Sequence, residues 1–546
     1  MKEPQSNFRD RIIIFLTVAF YVLPIYFDLL LNSWVRTFSY FAADAFYYLT
    51  VARNYSQLGI FTFDGEYITN GFHPLWQVMT GYLYRFTGWL HFSEPANLVA
   101  VLTLSVILIS FAIVLLGMTF KNWLGTVPTW FIFLPVGLYA VMMSPILHRY
   151  GTLWSFSNGM ESAPLLFMYA LLIWLISRPG WLKNWQTSVL TGLTLGILSL
   201  ARLDHALLIP ALFLVILFRM ALERDFSSMK WLLLAGGIFS LIIFCYLLSN
   251  QAILGVWLPV SGAEKTTFPY MLQGSRKIEE IRNYLQNIGQ PSFGFDIWRY
   301  TQIIFPTFIA IPVFFTRAWA GIRSRLLDSK SIVWISSSLF IILLASYNFF
   351  FVPTLDQGHW YFPVSILFMS LWVIELASHI QINWRWIKLA IPALLLVFGI
   401  WFYFSVYHDP TLNARNVWFY QEAPNIRAYY QGQDVRLLEY DDGIIAYTTG
   451  FKTMSALGFC LDPQAQQALH EKNLLELAYN RGYRYIASHY YFRFSNLTKD
   501  SSPEEVKTFL SSHGWIGPRE VEGFHFWIDY ASDDNQFVMI GYERSP

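Results

Sequence analysis

Apolar runs of about 16–23 residues recur from the N-terminus to about residue 406, separated by short polar breaks. Each is close to the ~20 residues an α-helix needs to cross the hydrocarbon core of a bilayer. They fall at about 12–31, 97–119, 128–147, 161–177, 187–201, 204–219, 231–250, 301–316, 331–351, 361–378 and 387–406, which predicts about eleven spans. The fifth and sixth are short and parted only by Arg202-Leu203-Asp204. Read as one helix, 187–219 is too long for a single crossing at ~1.5 Å per residue.

Two polar intervals, 32–96 and 251–300, are long for connectors. In the first, Asp44, Tyr48, Val51, Tyr55 and Leu58 share a helical spacing. This predicts an interfacial helix on the membrane surface, its aromatic rings at headgroup level. Phe63-Asp64-Gly65-Glu66 reads as a turn, and Pro74 opens a second amphipathic stretch over 75–90. After residue 406 the pattern changes, and Gly, Asp, Asn and charged residues become frequent. Val435–Tyr440 and Tyr483–Ala487 read as short strands and Asn473–Asn480 as a helix, so a small α/β domain is expected. The predicted organisation is a polytopic helical membrane domain over 1–406 and an α/β domain over 407–546.

Basic residues orient the spans. With the N-terminus inside, the inner loops hold Lys121, Arg178, Lys183, Arg219, Arg224, Lys230, Arg317, Arg323, Arg325, Lys330, Arg385 and Lys388. The short loops on the other side are poorer in Lys and Arg, as the positive-inside rule expects. An odd number of spans then puts the tail outside. Most of the suspicious polar residues fall on that outer face: Asp44, Asp64, His73, Glu161, Arg202, Asp204, Lys265, Asp356 and His359. Ionisable groups at membrane depth are costly and mark function. Clustering on one face argues for an outward-facing site, not a through-going pathway.

Composition sharpens this picture. Of 546 residues, 55% are hydrophobic, 19% aromatic and only 13% charged, against the ~25% charged of soluble domains. Net charge is +1, so no global field points to nucleic acid. Cys245 and Cys460 do not make a disulfide framework. The basic start, Lys2 to Arg11, suggests a signal peptide, but its apolar stretch is too long and shows no small-residue cleavage site. It reads as a first span that stays. The tail has no nucleotide-binding glycine loop, since Gly443, Gly450 and Gly458 are too widely spread.

An outward-facing membrane enzyme works where nucleotide sugars and ATP are scarce, but a lipid-phosphate-linked sugar can be presented there. Transfer from such a donor needs one carboxylate to take the acceptor proton and cations to hold the leaving phosphate. The paired carboxylates of most glycosidases are not required. Asp44 is the candidate base or a helix N-cap. Lys265 is a candidate partner of the donor phosphate or a solvated loop lysine. Arg202 and Asp204 form either a phosphate-holding and substrate-binding set or a structural ion pair. Glu161 shapes the site or caps the next helix, and Asp64 serves as a second acid or a turn former. His73 orients a carboxylate or touches substrate, and no second histidine stands at ligand spacing from it. His359, Trp360 and Tyr361 make a wall for a sugar ring or an interfacial anchor.

Taken together, several segments resemble the GT-C superfamily of polyprenyl-phosphate-sugar glycosyltransferases. They are Ala43-Asp44-Ala45-Phe46-Tyr47-Tyr48-Leu49, Ala52-Arg53-Asn54, Phe63-Asp64-Gly65, Thr69–Trp76, Asn158–Ser162, Ala201–Asp204, Pro259–Gly262 and Lys265. The likeness is closest to the bacterial branch of aminoarabinose and arabinofuranosyl transferases, with protein O-mannosyltransferases beyond it. It is looser across the later spans and the tail, where Asp442-Gly443 to Leu461-Asp462 is similar to related tails. The resemblance implies an inverting transferase of the bacterial cytoplasmic membrane. Its catalytic Asp would lie in the first outer loop, its acceptor would be an envelope glycan, lipid or protein, and its small outer domain would be C-terminal. Some members use a divalent cation, for which Asp44, Asp64 and Glu161 offer oxygen ligands. There is one departure: many relatives carry an acidic pair at the first-loop motif, and here the first position is Ala43. Two other classes stand as rivals, a transporter or flippase of lipid-linked saccharide and a non-catalytic binder of it. A transporter would carry polar groups in mid-span and inverted-repeat symmetry.

Overall fold

The structure, a computed structural model, describes residues 3–135, 157–265, 293–351, 363–379, 414–440, 443–458, 460–488, 497–512, 518–534 and 537–545. It is mostly helical, with a small C-terminal sheet. The helices used below are α1 (Glu3–Asn32), α2 (Ala45–Leu58), α3 (Pro74–Trp89), α4 (Glu94–Leu124), α5 (Ser162–Ser177), α6 (Trp185–Ala201), α7 (Leu208–Glu223), α8 (Met229–Leu254), α9 (Val260–Lys265), α10 (Phe293–Ser324), α11 (Ser329–Phe351), α12 (Pro363–His379), α13 (Ala414–Tyr429) and α14 (Ile444–Thr449).

Among the described residues, 5 stretches are long and apolar enough to cross a membrane: Phe8–Asn32, Glu94–Leu124, Leu203–Glu223, Met229–Leu254 and Ser329–Asn348. Ser162–Ser177, Trp185–Ala201 and Val364–Ser378 are shorter apolar helices. The described residues therefore do not confirm the expected count of eleven. The run at 301–316 lies within α10, only the start of 128–147 is described, and 387–406 lies outside the described residues.

Contacts divide the chain into two compact units. The first comprises Met1–Tyr40, Val101–Tyr246 and Lys265–Leu412, and the second Phe41–Ala100, Leu247–Glu264 and Asn413–Pro546. The two units are interleaved along the chain, and the first polar loop falls in the same unit as the tail.

In the first unit α1 and α4 run antiparallel. Tyr26 donates to Thr103 (2.8 Å), Gly117 lies against Ile14, and Lys121 pairs with Asp10 (3.4 Å). The helices α6 and α8 meet through Gly192 and Gly196, a pair of small residues four apart. A Cβ on Gly192 would sit 2.6 Å from the Ala235 carbonyl oxygen, so the backbones approach as in small-residue membrane interfaces. One end of this unit gathers many helix termini. Asn122 donates to Ser177 (3.0 Å), Leu327 N–H donates to Glu223 (3.1 Å), and Arg317 and Lys330 both reach Glu375 (2.7 and 2.9 Å). The rings of Trp123, Trp334 and Trp372 tie these ends together. The start of α1 and α11 and the ends of α4, α5, α7, α10 and α12 therefore lie at the same end.

In the second unit the strands are β1 (Arg436–Tyr440), β2 (Lys452–Ser455), β3 (Tyr485–Ser488), β4 (Phe524–Ala531) and β5 (Val538–Arg544), in the order β2-β1-β3-β5-β4. The first three in that order are parallel, with Leu438 opposite both Met454 and Ile486. The other two are antiparallel. Leu438, Ile486, Ile540 and Tyr542 form the core, joined by Val260 at the start of α9. The short strands and the helix over 474–480 are where the residue pattern puts them.

The reading of residues 44–58 as an interfacial helix is corrected. The helix exists as α2 and ends at Gly59 in the left-handed region (φ 77°), but Ala45–Ala52 are buried throughout. Tyr47 and Val51 pack with Phe63, Ala446 and Cys460, so protein, not lipid, takes up this face.

Candidate functional site

Asp44 immediately precedes α2 in a helical backbone conformation (φ −58°, ψ −21°), and its side chain makes no cap hydrogen bond. A capping carboxylate reaches the N–H groups of the first turn from an extended backbone. The N-cap reading therefore fails on geometry, and Asp44 stands half-buried in the turn Ala42–Tyr47. The tail encloses this turn. Asn416 of α13 donates to the Phe41 carbonyl (3.1 Å), Phe46 packs on Tyr447 (5.4 Å), and the hydroxyls of Tyr47 and Ser455 are hydrogen-bonded (3.2 Å).

The closest approach is at Gly443, between β1 and α14, where φ is +76°. A Cβ there would lie 3.1 Å from the Tyr47 nitrogen and 3.2 Å from the Phe46 carbonyl carbon. The carboxyl ends of β1 and β2 therefore face the Asp44 turn, the edge at which parallel sheets bind ligands. Gly443→Ala combines a disfavoured φ with a clash against backbone. It should cost about 1–3 kcal/mol, read as a lower thermal midpoint together with faster proteolysis near residues 41–59. The residue pattern left Gly443 without a role. Its signal was a glycine placed directly between a predicted strand and an apolar stretch. Asp441 and Asp442 lie outside the described residues.

The Thr69–Trp76 run is fixed on both sides. His73 precedes α3, whose first residue is Pro74, and its N–H donates to the Tyr48 hydroxyl (3.3 Å), one turn along α2 from Asp44. Gln77 donates to the Tyr48 carbonyl (3.2 Å). Thr69 donates to the Leu461 carbonyl (2.8 Å), and Val260 N–H donates to the Asn70 side chain (3.1 Å). That last bond joins the run to α9, which ends at Lys265; the Lys265 side chain lies outside the described residues. So do His359, Trp360, Tyr361 and Asp356.

Asp64 is a turn former. Its Oδ1 accepts from the Thr62 hydroxyl and from the N–H groups of Glu66 and Tyr67 (2.8–2.9 Å), and its Oδ2 accepts from Tyr483 (3.2 Å). Burial pushes its carboxyl above the usual range, although these donors oppose the shift. With both oxygens occupied, Asp64 fastens the first loop to the start of β3 and is not turned to a substrate.

Glu161, Arg202 and Asp204 meet in the first unit. Arg202 donates to Glu161 (2.7 Å) and, through Nε, to both oxygens of Asp204 (3.0 and 3.2 Å). The side chains of Arg202 and Glu161 are 3% and 1% exposed. Glu161 makes no cap hydrogen bond to α5, so its capping reading also fails. The ion-pair reading of Arg202 and Asp204 holds and extends to Glu161. One guanidinium is thus held between two carboxylates, and Arg202 positions both acids. His205, which the residue pattern did not single out, completes the group. Its Nδ1 is hydrogen-bonded to the Tyr169 hydroxyl (2.8 Å) and its Nε2 faces Asp204 (3.9 Å).

Among the described residues the fit to a divalent cation is poor. Among the described residues, no group of three or more His, Cys, Asp or Glu side chains is placed to hold a metal ion, and the oxygens of Asp64 are already taken. No protein-family model matches this chain, and no curated protein matches it.

Proposed function

We propose that this protein is an inverting membrane glycosyltransferase that moves a sugar from a polyprenyl phosphate to an acceptor hydroxyl of the cell envelope. The observation that carries the reading is Asp44: a half-buried carboxylate not spent on its helix, in an aromatic turn faced by the carboxyl edge of a parallel sheet. In this reading the basic end of the first unit lies in the bacterial cytoplasm, as the positive-inside rule requires. Asp44 and the tail then lie on the outer side.

The chemistry follows from one base. Asp44 takes the proton of the acceptor hydroxyl as its oxygen attacks the sugar C1. The C1–O bond to phosphate breaks, its electron pair goes to the leaving oxygen, and polyprenyl phosphate departs with inversion at C1. That phosphate is already a good leaving anion, so no general acid is needed, and Lys265 meets its charge. His73, beside Tyr48 of the same unit, touches the substrate in this reading. Polar groups gathered at helix ends favour a transferase over a transporter, which needs them in mid-span. Ala43 favours the non-catalytic binder, and a half-buried Asp44 carboxylate that does not cap its helix weighs against it.

The donor half of the reading is tested by binding. Polyprenyl monophosphate should stabilise the purified protein saturably, and Lys265→Ala should weaken that affinity by on the order of tenfold or more while the unliganded melting temperature stays the same. Equal affinity in the variant removes Lys265 from the donor site.

A further inference from the structure

An apolar groove of about 700 Å³ opens on the first unit between α7, α10 and α11. Leu214, Phe218, Phe315, Trp319, Ile322 and Leu339 line it. Its one polar side chain, Thr316, turns back to donate to the Pro312 carbonyl (2.7 Å). The groove therefore offers a guest nothing but hydrocarbon. Its size falls within the ~300–1,000 Å³ of ligand sites. Phe308, Ile311, Phe315, Trp319 and Ile322 are all exposed and recur every three or four residues, so α10 presents one continuous apolar stripe. Phe315 and Trp319 are 65% and 68% exposed, which suits lipid and not water.

The charges at one end say what kind of lipid. The groove reaches the basic end of the unit, where Ile322 is followed by Arg323 and Arg325. The neighbouring Arg219 and Arg317 are already tied to Glu223 (3.0 Å) and Glu375 (2.7 Å). Arg323 and Arg325 are exposed and, among the described residues, pair with no acid. Trp319 is the residue type that settles at headgroup depth, one turn from Arg323. A hydrocarbon slot running out to two guanidinium groups, exposed and without an acidic partner among the described residues, matches an acyl chain attached to an anionic phosphate, which guanidinium binds in bidentate fashion.

We propose that this groove is a site for an anionic phospholipid of the leaflet on the basic side, with one acyl chain between α7, α10 and α11 and its phosphodiester on Arg323 and Arg325. The proposal rests on the membrane reading alone and does not depend on sugar transfer.

Native mass spectrometry of the full-length protein in detergent tests it, with phosphatidylglycerol, phosphatidylcholine of the same acyl chains, and polyprenyl monophosphate as probes. Phosphatidylglycerol should be retained on the order of tenfold better than phosphatidylcholine, and Arg323→Ala with Arg325→Ala should remove that preference. Ala318→Trp, which fills the groove, should weaken both phospholipids. Lys265→Ala should leave the phosphatidylglycerol adduct unchanged, which separates failure here from failure of the donor site. Equal retention of the two phospholipids overturns the proposal, as does a phosphatidylglycerol adduct indifferent to both the arginine and the groove variants. If the arginine variant instead loses polyprenyl monophosphate and keeps phosphatidylglycerol, the groove belongs to the donor and the assignment falls.

Discussion

If the proposed transfer is right, Asp44→Asn should lower it by about 10²–10⁴-fold and leave the protein folded. The size is that of removing a general base from a transition state in which a hydroxyl proton is being taken up. It corresponds to about 3–5 kcal/mol of lost barrier stabilisation. The amide keeps the shape of the side chain and one accepting oxygen but cannot take a proton. The carboxylate does not cap α2, so the helix loses no cap hydrogen bond at its first turn. The neighbouring residue is Ala43, and no adjacent acid can stand in. Transfer and melting temperature measured on the same preparation decide the matter. A fall in both together would make Asp44 a structural residue.

Arg202→Met is the second large effect, and it falls on stability. Its guanidinium lies between Glu161 and Asp204, with Arg202 and Glu161 almost fully buried. Removing one partner leaves buried carboxylates uncompensated, which costs about 3–5 kcal/mol. Thermal unfolding in detergent should show a midpoint lower by many degrees. Arg202→Lys should recover only part of this, because one ammonium cannot reproduce a fork that reaches both acids. Adding Glu161→Gln to Arg202→Met should restore some stability, because the orphaned charge is then gone. A melting temperature for Arg202→Met equal to that of the parent would contradict the geometry of the cluster.

What was legible in the residues follows from which forces act locally. The apolar runs matched α1, α4–α8, α11 and α12, because hydrophobic length is a property of one segment. The Asp64 turn was legible for the same reason: an aspartate followed by glycine closes on its own next residues. Partnership between distant segments was not legible. Periodicity gave α2 an apolar face and could not say that Ala446 and Cys460, some four hundred residues on, would cover it. A membrane surface and a protein core present the same pattern of apolar side chains to a helix. The acids Asp44 and Glu161 both precede helices, which made capping the simple reading, and only backbone angles and hydrogen bonds exclude it. Gly443 was visible as a glycine, but its tolerance of a positive φ matters only because the Phe46–Tyr47 backbone lies against it.

The central claim is that Asp44 carries a sugar transfer on the outer side of the membrane. Mass spectrometry of envelope glycans, glycolipids and glycoproteins tests it most directly. Three sets of cells are compared: cells with this chain, cells with Asp44→Asn at equal protein level, and cells lacking the chain. The account predicts a glycan, glycolipid or glycoprotein species heavier by one sugar residue in the first set and missing from the other two. The same species in all three sets, or its survival in the Asp44→Asn cells alone, would contradict it.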